Sequence, residues 1–176
     1  MKHLGNALLY LVLFVVALIL FAPKDNIYFL LEEKLQPYGV VIDGEALRDR
    51  GLWLEIRHAT LYVKDIESVT ADRVSVALFG LYNRISVENA TLAPPLAELF
   101  PEGIEHIDII YAVWDPLHLR ITAEGDFGTA DALVSIRQRN VVADVLPSEL
   151  MQSRFGATLR KLKQNETGGY RYETRF

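Results

Sequence analysis

An unbroken apolar run from Leu4 to Ala22 (LGNALLYLVLFVVALILFA) carries no charge and constrains the chain more than any other feature. Its length, about 19 residues, is close to the roughly 20 needed to cross a ~30 Å hydrocarbon core as a helix. Lipid offers no partners for backbone amides, so an inserted run of this kind must be helical. Cleavage after Ala22 would put Leu20 where a signal peptidase needs a small residue, and Pro23 directly after the cut. Residues 1–23 therefore read as an uncleaved anchor, with the lipid bilayer as the first partner. Lys2 and the amino terminus favour a cytoplasmic N-terminus against the single Lys24 beyond the run. The rest of the chain is expected on the far side of the membrane.

Residues 24–38 form the next unit. Ile27, Leu30, Leu31 and Leu35 fall at helical spacing and are closed by Pro37 and Gly39, which predicts a short juxtamembrane amphipathic helix. It would pack under the following domain or lie at the bilayer interface.

From Gly39 the period becomes two, and residues 39–176 read as one β-rich extracytoplasmic domain. Leu117, Leu119, Ile121 and Ala123 alternate with polar residues, as do Ala130, Ala132, Val134 and Ile136. Further strands are predicted over 52–63, 68–78, 85–92, 104–114 and 141–145. Within the first of these the apolar face switches from Leu52, Leu54 and Ile56 to Ala59, Leu61 and Val63, predicting a β-bulge near His58 that curves the sheet. Short links at Lys64-Asp65, Tyr82-Asn83, Asp115-Pro116, Gly125–Gly128 and Gln138–Asn140 make successive strands antiparallel neighbours. Pro94–Gly103 is longer, with room for one helical turn, and is expected to separate two meander halves. Ser148 reads as the N-cap of a helix over 149–163, with Met151, Phe155, Leu159 and Leu162 on one face and Arg160, Lys161 and Lys163 in its last turn. Gly168-Gly169 ends it, and Tyr170–Phe176 alternates again as a closing strand. The expected fold is mainly β (α+β): one N-terminal transmembrane helix, then a curved antiparallel sheet with one amphipathic helix near the C-terminus.

Composition narrows the chemistry. The absence of cysteine removes disulfides, thiol catalysis and cysteine-ligated zinc. The net charge of −5 is unevenly placed: residues 154–176 sum to +4, whereas 24–153 sum to −10. The basic end could face anionic lipid or an acidic partner, or be an ordinary solvated face. Trp53, Tyr62, Tyr111 and Trp114 have no accompanying Lys/Arg stripe, so nucleic acid is excluded as a partner and the aromatics read as core or interface residues.

No nucleotide-binding, nucleophile-elbow or metalloprotease motif is present. His106 and Asp108 share a strand face and His118 sits on the next strand, an arrangement that could ligate a metal but is more simply the wet face of a sheet. Asp108 with Asp115, and Glu55 with Glu67, are carboxylate pairs of the kind chance supplies in a chain with 23 acids. Asn89-Ala90-Thr91 and Asn165-Glu166-Thr167 match the glycosylation sequon, a short signal that carries weight only in a eukaryotic secretory context. No catalytic residue, cofactor or metal site is assigned.

The stretches Leu35–Asp43 (LQPYGVVID), Leu61–Leu81 (LYVKDIESVTADRVSVALFGL) and Arg84–Leu92 (RISVENATL) resemble the type II secretion N-subunit family and, more broadly, AsmA-like envelope proteins. Gly125–Phe176, with LPSELM and YRYETRF, is similar to the end of some N-subunit-like proteins. The resemblance lies in strand patterns rather than catalytic motifs. It implies a bacterial inner-membrane protein, single-pass, with its sheet in the periplasm, serving either as a scaffold with envelope protein partners or as a holder of lipid acyl chains.

Two functions follow. The first is a non-enzymatic component of an envelope or type II secretion-like assembly. The second is lipid binding or transfer on an apolar sheet face, for which Ile107, Ile109, Tyr111, Val113, Leu117, Leu119 and Ile121 are the candidates. If the 149–163 helix covers that face, these residues are simply core.

Overall fold

A computed structural model describes residues 37, 39–51, 53–98, 100–165 and 168–176. The anchor over Leu4–Ala22 and the helix expected before Pro37 lie outside the described residues. Among the described residues, no helix is long and apolar enough to cross a membrane.

The described chain is one large antiparallel sheet. Its strands are β1 (Val40–Asp49), β2 (Trp53–Val63), β3 (Ile66–Leu78), β4 (Tyr82–Leu92), β5 (Gly103–Ala112), β6 (His118–Gly125), β7 (Gly128–Ser135), β8 (Asn140–Pro147), β9 (Lys163–Gln164) and β10 (Tyr170–Arg175). Three short helices complete it: α1 (Pro94–Ala97), α2 (Glu149–Arg154) and α3 (Gly156–Leu159). Among the described residues ten strands run in the order β1-β2-β3-β4-β5-β6-β7-β8-β10-β9. Each hairpin closes locally, so every long strand pairs with its sequence neighbour.

Turn chemistry explains the tight returns. Lys64 and Asp65 both take positive φ (52° and 63°), the geometry of a two-residue hairpin turn whose twist matches the flanking strands. The turn expected at Tyr82-Asn83 lies earlier, at Phe79-Gly80-Leu81, and both Tyr82 and Asn83 belong to β4. Gly80 supplies the left-handed residue (φ 74°) there, and its apolar neighbours disguise the turn as strand.

The loop after β4 does not divide the meander. β4 pairs with β5 from Tyr82↔Ala112 to Thr91↔Gly103, so the two expected halves form a single sheet. The Leu92 N–H donates to the Glu102 carbonyl at 3.0 Å, and the Ala93 N–H donates to the Ser68 carbonyl at 2.9 Å. These bonds fold the loop back onto the strand ends, with α1 as its one helical turn.

The helix expected over 149–163 is shorter and broken. Ser148 caps α2 by accepting from the Met151 N–H at 3.1 Å, as its side chain predicts. At Phe155 (φ −112°, ψ 21°) the helical path ends, and Gly156, a poor helix former, begins α3. Arg160 and Lys161 therefore sit in a turn and Lys163 in β9, not in a helical last turn. Met151 and Leu159 are buried as their spacing predicts.

The face switch near His58 is real but is not a bulge at that point. Arg57↔Arg73 and Ala59↔Ala71 keep one register, so His58 stands opposite Asp72 with no extra residue. Instead His58 adopts φ 52°, and Asn89 two strands away does the same with φ 51°. A left-handed residue reverses the alternation, so Ala59 joins Leu54 and Ile56 in one cluster although it lies three residues from Ile56. Gly44, paired with Ala59, fits the same place because a Cβ there would meet Ile56 Cγ2 at 2.6 Å. True register shifts occur at Leu61/Tyr62 and at Ile104/His106.

Candidate functional site

Strand alternation sorts the middle of the sheet into an apolar face and a polar face. On the apolar face Ile109 pairs with Ile121, Tyr111 with Leu119 and Ile107 with Ala123. The face continues through Ala132 and Val134 of β7 onto Val141 and Ala143 of β8. All of these are half-buried, so five of the seven candidate residues are brought together. Val113 and Leu117 are not among them. β5 ends at Ala112 and β6 begins at His118, so both lie in the exposed connecting turn, where alternation no longer applies.

The main sheet contact of α2 is with β8, and α1 contacts β3. Met151 of α2 is buried next to β8, and Leu159 of α3, which packs on α2, is buried as well.

The polar face carries a row of ion pairs. Arg84 on β4 grips Asp108 on β5 with two hydrogen bonds, Nε to Oδ1 at 2.7 Å and Nη2 to Oδ2 at 2.6 Å. Ser86 Oγ donates to Asp108 Oδ1 at 2.7 Å, and His106 Nε2 lies 2.9 Å from Oδ2. Arg84 holds the Asp108 carboxyl far below the usual carboxylate range, and Ser86 and His106 add to this against the opposing effect of burial. Arg73 pairs with Glu88 at 2.6 Å, and Glu55 pairs with Arg57 at 2.6 Å. Between these pairs is a cleft of about 560 Å³ whose lining includes Trp53, Tyr82, Ser75 and His106.

Ser86, His106 and Asp108 are the three residue types of a hydrolytic triad, but their geometry is not that of one. In a triad the imidazole bridges acid and hydroxyl through two different nitrogens. Here Nε2 of His106 is the atom near both, at 2.9 Å from Asp108 and 3.5 Å from Ser86, and the Ser86 proton goes to the carboxylate. A hydroxyl so committed is not activated toward attack.

The His106, Asp108 and His118 set is likewise not assembled around a metal. His118 Nδ1 lies 2.6 Å from Asp115 Oδ1, while Asp108 is occupied by Arg84. Among the described residues no group of three or more His, Asp or Glu could hold a metal ion. The suggested carboxylate pairs also separate, since Glu55 is taken by Arg57 and Asp115 by His118.

Sequence reasoning named Asp108 and His106 but missed Arg84 and Ser86. Their signal was present: both stand at even offsets on β4, and strand registration sets Ser86 opposite Asp108. Compared with protein-family models, curated proteins and solved structures, the chain matches none.

Proposed function

We propose that this chain is a membrane-anchored, non-enzymatic periplasmic protein of the bacterial inner membrane that handles lipid on the apolar face of its sheet. The observation that carries the reading is the contiguous apolar face formed by Ile107, Ile109 and Tyr111 with Leu119 and Ile121. Acyl chains match the chemistry of such a face. The left-handed residues at His58 and Asn89 and the two register shifts are the points at which such a sheet would curve around them. The resemblance to type II secretion N-subunits and AsmA-like proteins implies either this role or that of a scaffold.

A benzophenone amino acid placed at Ile121 (apolar face) and at Thr122 (polar face) tests this reading. After irradiation of full-length protein in native membranes, lipid adducts are expected from position 121 and not from 122. No adduct at 121, or equal yields at both, would sink it.

The second reading is a scaffold within an envelope or type II secretion-like assembly. The polar cleft favours it, because fixed charges such as Arg73 and Glu88 suit a protein partner better than a lipid tail. An envelope protein captured from detergent extracts and lost with Arg73→Glu would support that role. No reproducible partner would count against it.

A further inference from the structure

Exposed apolar residues occur at both ends of the sheet, Ile66, Phe100 and Leu146 at one, but at the other they stand on consecutive hairpin tips. Three successive hairpin turns there each hold a large apolar side chain in water: Leu81 (67% exposed), Trp114 (73%) and Ile136 (50%). Single exposed apolar residues are ordinary, but one on each successive tip is a pattern. Adjacent tips fall about 10 Å apart, two strand spacings.

The tips are tied together rather than loose. The Val113 N–H donates to the Leu81 carbonyl at 2.9 Å, and the Ile136 N–H donates to the Leu117 carbonyl at 2.8 Å. The Phe176 N–H donates to the Arg139 carbonyl at 2.9 Å, joining β10 to the same rim. Trp114 is stacked on Tyr82 with ring centroids 6.1 Å apart and planes at 12°. The apolar side chains are thereby presented outward in a fixed row.

Charge at this end is positive, in a chain whose net charge is −5. Arg50, Arg137, Arg139 and Arg175 stand exposed in or beside these turns. Among the described residues no ion pair involves Arg137, Arg139 or Arg175. Of the nearby acids, Asp115 is already engaged by His118 and Arg120. The opposite end holds the acids Asp65, Glu98, Glu102 and Asp126 together with the cations Lys64 in the β2–β3 turn and Arg154, Arg160, Lys161 and Lys163 between β8 and β10, so its charges are mixed.

We infer that this end of the sheet docks on an anionic lipid surface, with Leu81, Trp114 and Ile136 entering the headgroup layer and the arginines pairing with lipid phosphates. Apolar wedges set among cations are what such a surface binds. Tryptophan suits the boundary between headgroup and tail. The inference stands apart from the lipid-handling face, because the tips are a different surface and the two tests can fail separately.

The chain has no cysteine, so single-cysteine variants report cleanly. Full-length protein in nanodiscs carries an environment-sensitive fluorophore at Leu81→Cys, at Ile136→Cys or, as control, at Leu146→Cys. Leu146 is 60% exposed near the opposite end of β8, roughly 20 Å from the tips along six residues of strand and across the sheet from β1. With phosphatidylglycerol in the disc or added as vesicles, both tip probes are expected to shift to the blue and to be quenched by headgroup-level spin-labelled lipid. The Leu146 probe should stay unchanged. The shift should vanish in phosphatidylcholine alone and in the Arg137→Gln/Arg139→Gln/Arg175→Gln variant. Trp114→Ser should raise the lipid concentration needed roughly tenfold, the order expected for withdrawing one large apolar side chain. Unshifted tip probes, an equal shift in phosphatidylcholine, or a shift only when an envelope protein is added would each overturn the inference.

Discussion

Arg84 and Asp108 meet in a parallel two-bond clasp across adjacent strands, at 2.7 and 2.6 Å, with the carboxylate in a residue only 9% exposed. This clasp decides what the polar face can do. A carboxylate whose two oxygens serve an arginine, a serine and a histidine is a poor general base and a poor metal ligand. The face is a framework of fixed charges.

Removing the negative charge should therefore register as lost stability. Asp108→Asn keeps the shape but leaves Arg84 without its bidentate partner, at an expected cost of about 2 kcal/mol. Arg84→Met should cost at least as much, because it strands a charge on the more buried side. Urea denaturation of full-length protein in detergent checks both. A change under about 0.5 kcal/mol for each would show that the clasp contributes nothing net.

The same carboxylate sets a pH dependence. Its folded pKa is depressed, chiefly by Arg84, so it binds a proton less readily folded than unfolded. Its contribution to stability is complete above the ordinary carboxylate range and is lost progressively as pH falls through and below that range. The stability gap between wild type and Asp108→Asn should be constant from neutral pH to mildly acidic pH, then narrow with further acidification. Denaturant midpoints at several pH values give the curve; a gap that widens on acidification would reverse the sign argued here.

Much of this fold was legible in the sequence, and the misses have local causes. Strands β5 to β8 were placed within a few residues because one face is apolar and the other wet, which makes alternation plain from Ile104 to Val145. β1 gave no clean period because Asp43, Gly44 and Glu45 interrupt it. The 149–163 helix was overextended because Leu159 and Leu162 keep helical spacing past the break at Phe155. The face switch was visible, but its mechanism was not: a left-handed backbone at His58 and a bulge leave the same apolar pattern. Five of the seven candidate face residues share one face; Val113 and Leu117 do not, because β5 ends at Ala112 and β6 begins at His118, strand ends that alternation alone does not mark. The Arg84 clasp needed the β4–β5 register, which a single sequence does not fix.

The left-handed backbone at His58 gives a further expectation. A β-branched residue pays heavily at φ 52°, so His58→Val should destabilise by about 1–2 kcal/mol. Glycine reaches the same angle freely but loses more entropy on folding, so His58→Gly should be close to neutral. Thermal unfolding of the two variants beside wild type separates the cases. Equal losses would mean that His58 matters for a side-chain contact and not for its backbone.

The half-buried apolar residues of β5 and β6 can be weighed against the buried core on the same face, since Leu54, Val76, Ile85, Ile109 and Ile121 pair in one row. Ile56 is 2% exposed and clustered with Leu54 and Ala59, whereas Ile121 is half-buried on the face assigned to lipid. Truncating a buried isoleucine loses both its transfer free energy and the packing around it, so Ile56→Ala should cost about 3–4 kcal/mol. Where the side chain is only half-buried there is less cavity to create, and Ile121→Ala should cost about 1 kcal/mol. The difference is measurable by denaturant unfolding of full-length protein after delipidation. Adding back a lipid that occupies the face should then raise the stability of wild type more than that of Ile121→Ala, since only the bound folded state gains from the ligand. Equal costs at the two positions would place Ile121 in a covered core and remove the surface on which lipid handling is proposed.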